Sequence, residues 1–164
     1  MVIHKVDTLF LDIGGVLLND GWGIDSRQKA VEKFKLNAEE MNIRHEKCWD
    51  VLESGKMTMD NYLDEVIFYQ SQSFSKSEFL NFIFSQSISL NGAFEYFIRL
   101  KKANGLRIFA LNNEARELNA FRIRNYKLNE LFDAYISSCY VGLRKPDEKI
   151  YKLACDISQT MPAA

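Results

Sequence analysis

Two short runs of apolar, β-prone residues, Val6 to Leu11 and Leu106 to Leu111, each stop on a polar residue, Asp12 in one case and Asn112 in the other. Runs of this length without alternation suit strands covered on both faces, and such strands belong to parallel sheets. Parallel neighbours cannot be joined by a hairpin, so each strand needs a long crossover, usually a helix. The chain is therefore constrained to helices between strands and to a layer of packing on each side of the sheet.

The intervening sequence supplies them. From about Ser26 to Ser89, SRQKAVEKFKL, AEEMNIRHEKCWDVLESG, TMDNYLDEVIFYQ and SKSEFLNFIFSQ carry apolar residues at helical spacing. Gly55 is placed to end the second segment, and Thr58 or Asp60 to cap the third. GAFEYFIRLKKAN predicts a helix stopped at Asn104-Gly105, and NNEARELNAFRIRN another that starts directly from the second apolar run. AYISS, residues 134–138, predicts a third strand, and GLRKPDEKIYKLACDIS passes through Pro146 into a last helix. The order predicts an α/β fold with a parallel sheet, right-handed crossovers and an inserted block of helices.

Charge narrows the partners. A net charge of -1 with no extended run of one sign offers nothing to a phosphate backbone or an anionic membrane. Asp7 and Asp12 break the only apolar stretch near the start, so neither a signal peptide nor a spanning helix fits. Cys48, Cys139 and Cys155 are odd in number and lack CxxC spacing, which argues against disulfides and thiolate metal sites and for a cytoplasmic home. The partner expected is a small molecule, with no nucleic acid and no membrane; nothing in the sequence fixes an oligomeric state.

In open parallel sheets ligands sit beyond the carboxyl ends of the strands. Those places hold Asp12, then Asn112 and Asn113, then Lys145 after a short loop. Singly each has an ordinary reading, as a turn former, a helix cap or a solvated loop residue. Together they bring an anionic nucleophile, an amide donor and a cation to one crevice, the set needed to hold and attack a phosphoryl group. Gly14 and Gly15 let the chain turn sharply after Asp12, so that backbone N–H groups can face an anion.

These residues also carry a resemblance. FLDIGGVL resembles the first motif of the haloacid dehalogenase-like hydrolase superfamily, ALNN its second and VGLRKPDEKIY its lysine-bearing third; LESGKMTMDNYL resembles part of the helical cap of the subgroup with an early cap. The resemblance implies a Rossmann-like core over residues 1–18 and 90–164, a helical cap over 19–89, and Mg²⁺-dependent hydrolysis of small phosphorylated metabolites. Asp12 would be the nucleophile that becomes an aspartyl phosphate, Asn112 would stand where the family has Ser or Thr on the phosphoryl group, and Lys145 would neutralise phosphate and orient Asp12. Gly14, Gly15 and Asn113 would contact the substrate, and Asp12 with the Gly14 carbonyl would touch the metal.

Two departures modify that expectation. The family's phosphatases place a second Asp two residues after the nucleophile to protonate the leaving group, and this chain has Gly14. Aryl or acyl phosphates are then favoured over alkyl phosphates, unless Asp20, Glu114 or a cap side chain supplies the proton. The family also completes its Mg²⁺ site with an acidic pair after a further strand, whereas here the chain runs DISQTMPAA and stops. That predicts a C-terminally incomplete fold, a first strand left as a bare edge, and impaired activity. A dehalogenase using the same Asp12, or a phosphate-binding module without catalysis, remains as an alternative.

Other residues carry plainer expectations. His4 and His45 read as ordinary surface or half-buried residues, Trp49 as core, and Trp22 as either hinge packing or an entrance wall. Arg144 reads as pointing away from Lys145, because side chains alternate in an extended loop before Pro146.

Overall fold

The protein is described as a computed structural model covering residues 6–161. His4 lies outside the described residues. Strands β1 (Thr8–Leu11), β2 (Arg107–Ala110) and β3 (Ala134–Tyr135) pair in parallel in the order β1-β2-β3. Thr8 to Leu11 lie opposite Arg107 to Ala110, and Phe109 and Ala110 lie opposite Ala134 and Tyr135.

Alternation along β2 divides its side chains between two layers. Ile108 and Ala110 pack on one face with Leu11, Leu106 and Phe132, against which Phe94, Phe97 and Ile98 of helix α5 (Ala93–Asn104) close. Phe109 and Leu111 pack on the other with Ile136 and with Ile150 and Ala154 of the last helix, Glu148–Ser158. A three-layer α/β arrangement follows from the apolar runs read in the sequence.

The strands are shorter than those runs. Asp7 still accepts from the Arg107 N–H, but pairing begins at Thr8. The third run was expected to extend to Ser138, yet it pairs only at Ala134 and Tyr135 before a short helix, Ser138–Val141, begins. Its two serines turn inward instead: Ser137 donates to Asn112 Oδ1 at 2.7 Å and Ser138 to the Glu53 carbonyl at 2.6 Å. Those bonds satisfy buried hydroxyls that a continued strand would leave without partners.

Between β1 and α5 lie four helices, α1 (Ile24–Phe34), α2 (Ala38–Glu53), α3 (Met59–Val66) and α4 (Lys76–Ser85). Asn37, Thr58 and Ser75 cap the last three by accepting from N–H groups three residues on. These helices share an aromatic core of Phe34, Tyr62, Phe79 and Phe82 with Trp22, which extends to Ala115 and to Leu118 of α6 (Arg116–Asn125).

The chain leaves the sheet layer and returns to it side by side. Leu18 bridges Ser89, the Asn19 N–H donates to the Ile88 carbonyl at 2.9 Å, and Asn19 Nδ2 donates to the Gln86 carbonyl at 2.8 Å. Helix α6 fastens both crossing segments: Arg122 Nη2 donates to the Asn19 carbonyl and Arg122 Nε to Ser87 Oγ. Gly21, at φ +61, passes so close to that guanidinium that any Cβ there would overlap it.

Candidate active site

Asp12 follows the last residue of β1, and the turn behind it is held by its own backbone. Leu17 and Leu18 N–H groups both donate to the Ile13 carbonyl, and Gly15, at φ +71, donates to the Leu18 carbonyl. That last bond corrects an expectation, since it occupies the Gly15 N–H that was to face an anion. The Gly14 N–H makes no hydrogen bond within the described residues. One Asp12 oxygen accepts from the Ile13 N–H at 2.7 Å, and the other is ion-paired with the Lys145 ammonium. The pair joins residues 133 apart in sequence and is partly open to solvent.

Asn113 makes that meeting possible. Its Nδ2 donates to the Lys145 carbonyl and its Oδ1 accepts from the Lys145 N–H, both at 2.9 Å, so the amide clamps the peptide that carries the lysine. The side chain expected to touch substrate thus holds Lys145 and keeps one amide hydrogen beside the cavity. Asn112 is buried and closes a ring: its Nδ2 donates to Asn119 Oδ1, Asn119 Nδ2 donates to Ser137 Oγ, and Ser137 donates back to Asn112 Oδ1. This leaves one amide hydrogen of Asn112 outside the ring.

In front of Asp12 opens a cavity of about 440 Å³, walled by Gly14, Asn113, Glu114 and Arg122 on the sheet side and by Trp22, Arg27, His45, Trp49 and Glu53 on the helical side. Three ion pairs balance most of its charge: Asp12 with Lys145, Glu114 with Arg122 at 2.8 Å, and Glu53 with Arg144. Asp20 and Arg27 form no ion pair among the described residues. Asp20 is exposed and hangs over the glycines: its Oδ1 would lie 3.7 Å from a Cβ at Gly14 and 3.5 Å from one at Gly15.

Burial sets the proton affinities of the walls. It pushes Glu114 up to about 7 against the pull of Arg122, and it raises Glu53 despite Arg144. It also holds His45 near 4, with the neighbouring Arg27 acting in the same direction. His45 is not the ordinary residue expected: it is buried, its Nδ1 lies 2.7 Å from the Tyr62 hydroxyl, and that hydroxyl accepts from Trp22 Nε1 at 2.8 Å. Trp22 therefore packs at the hinge and backs the cavity, while Trp49 is half-buried at its wall.

Arg144 is likewise corrected. It turns to α2 and pairs with Asp50 and Glu53, because an arginine stem reaches a buried carboxylate that would otherwise lack a partner. Glu53, Arg27 and Arg122 all line the cavity and were not singled out in the sequence, where each sits as one charge among helical neighbours with no spacing signal.

Asp12 and the Gly14 carbonyl offer two oxygens to a metal, and no group of three His, Cys, Asp or Glu side chains gathers anywhere among the described residues. Mg²⁺ wants six oxygens and sheds water reluctantly, so these residues alone do not make a site for it. No helix among the described residues is long and apolar enough to cross a membrane.

Residues 6–162 match the protein family described as haloacid dehalogenase-like hydrolase. No curated protein matches the chain. Among solved structures, a HAD family enzyme from Bacteroides thetaiotaomicron, in complex with magnesium and inorganic phosphate, superposes with a TM-score of 0.78 at 18% identity, over 94% of this chain and 80% of that one. A predicted HAD-like family hydrolase from Porphyromonas gingivalis gives 0.74 at 18% identity, over 96% and 78%. The L-2-haloacid dehalogenase from Xanthobacter autotrophicus gives 0.61 at 18% identity, over 96% and 67%. At these identities the likeness is one of fold.

Proposed function

The chain belongs to the haloacid dehalogenase-like hydrolase family, and from that premise we propose that it hydrolyses small phosphorylated metabolites through an aspartyl phosphate on Asp12. The observation that carries this reading is the Asp12–Lys145 pair at the mouth of the cavity. A carboxylate meeting a phosphate dianion at about 4 Å meets roughly 4 kcal/mol of repulsion per charge pair at an effective dielectric of 20. Lys145 lies where it offsets part of that repulsion while holding Asp12 in line.

The steps need only this chain's side chains and water. An Asp12 oxygen bonds to phosphorus as the ester P–O bond breaks, and the departing alkoxide takes a proton from a water held by the Asp20 carboxylate, which has no ion-pair partner among the described residues. The hydroxide left from that water bonds to phosphorus, the P–O bond to Asp12 breaks, and inorganic phosphate leaves. A positioned acid and base of this kind contributes about 10²–10⁴-fold. Asp12 and the Gly14 carbonyl are the groups that would hold an added Mg²⁺, and its charge would neutralise part of the phosphate's.

A dehalogenase would use the same Asp12 against carbon. The walls around that carboxylate are charged, with Lys145, Glu114, Arg122 and Glu53 close by, and suit a phosphoryl group better than a halide leaving from carbon. Incubation with a panel of phosphate esters and 2-haloacids, with and without Mg²⁺, tests the choice. Phosphate release that chelation lowers and Asp12→Asn abolishes is the expected result. Halide release without metal, or binding of phosphate with neither release, would overturn it.

A further inference from the structure

The charged walls of the cavity are matched in pairs except at Asp20 and Arg27. Arg27 stands in the first turn of α1 and lines the same cavity as Asp12. Its Nη1 donates to the Trp22 carbonyl at 3.0 Å, its Nη2 has no hydrogen-bond partner among the described residues, and its Nε is buried without one. Burial lowers its proton affinity below the usual arginine range, yet a guanidinium stays charged at neutral pH. A half-covered cation with unfilled donors carries a desolvation cost that an anion would offset.

Its surroundings hold it in place, and the carboxylate that acts on it, Glu46, forms no ion pair with it among the described residues. Trp22, whose carbonyl anchors the guanidinium, is fixed in turn through Tyr62 and His45. His45 is held neutral and adds no competing charge. Asp20, the remaining single charge, lies beyond ion-pair distance. A volume of about 440 Å³ falls within the roughly 300–1,000 Å³ of small-molecule sites, enough for a ligand that spans both walls.

We propose that Arg27 binds a second anionic group of the substrate, so that the site takes small phosphorylated metabolites bearing a carboxylate or a second phosphoryl group. This rests on the phosphatase reading, because it assigns the far end of the molecule whose phosphate meets Asp12.

Binding of non-hydrolysable phosphonates, measured by calorimetry at fixed Mg²⁺, separates the two. Phosphonoacetate is compared with its neutral isostere phosphonoacetamide, and ethylenediphosphonate with ethylphosphonate, so that the pair with the larger gain identifies the second group. The full chain is expected to bind at least one charged member about tenfold more tightly than its neutral partner, as a charge-assisted contact allows. Arg27→Met should bind both members alike and match the parent on the neutral one. Arg27→Gln, which keeps a donor for the Trp22 carbonyl, gives the same reading where the Met variant unfolds. No gain in the parent, or an equal gain in the variant, overturns the inference and leaves the phosphate site standing. Failure of every phosphonate to bind the folded parent overturns the phosphatase reading and this inference with it.

Discussion

Asp20 shows how a loop residue can take a role the sequence leaves vacant. Gly14 brings no side chain to the leaving-group side, while the Asp20 carboxyl sits within 4 Å of where one would begin and forms no ion pair among the described residues. Asp20→Asn should therefore slow alkyl phosphate turnover about 10²–10⁴-fold while touching aryl phosphates far less, since a phenolate leaves without a proton. Gly14→Asp in the same background should restore part of the alkyl rate, because a Cβ at residue 14 would meet only ordinary van der Waals contacts and its φ is not in the left-handed region. Equal losses on both substrate classes would remove Asp20 from proton transfer. Asn113 teaches the opposite lesson: a polar residue at a strand end can serve the site by holding another residue, Lys145, by its peptide.

At the scale of elements, α6 ties the inserted helices to the sheet layer. Arg122 reaches from it to Asn19, Ser87 and Glu114, and so touches both crossing segments and the cavity wall at once. Arg122→Met leaves Glu114 buried without its partner and should cost about 3–5 kcal/mol in urea unfolding. Adding Glu114→Gln should recover much of that loss, whereas a loss below about 1 kcal/mol would mean the pair holds little. None of this was legible in the sequence, where Arg122 and Glu114 are eight residues apart on a helix and its approach. Helix positions, caps at Thr58 and Gly105, the parallel sheet and the Asp12–Lys145 meeting were legible, because each follows from local periodicity or from strand ends that a parallel sheet must align. The Arg144–Glu53 pair and the Asn112 ring were not, because contacts 91 and 25 residues apart leave no local pattern.

For the molecule as a whole, two buried groups tilt stability with pH in opposite senses. His45, near 4 when folded and about 6.5 when unfolded, contributes stability that is full above the unfolded value and is lost as pH falls toward 4, by about 3 kcal/mol. Glu114, raised to about 7, acts the other way: its contribution is full below the unfolded carboxyl value and fades as pH rises through 7. Comparing the parent with His45→Gln cancels the Glu114 effect, so the parent's relative stability should climb between about pH 4 and 6.5 and then level. A flat difference would place His45 in solvent. The most direct test of the account, however, is chemical. Acid-quenching a single turnover of an aryl phosphate and mapping the peptides by mass should find a phosphoryl group on the peptide containing Asp12, and none after Asp12→Asn. Phosphate released with no such adduct, or an adduct on another residue, would contradict it.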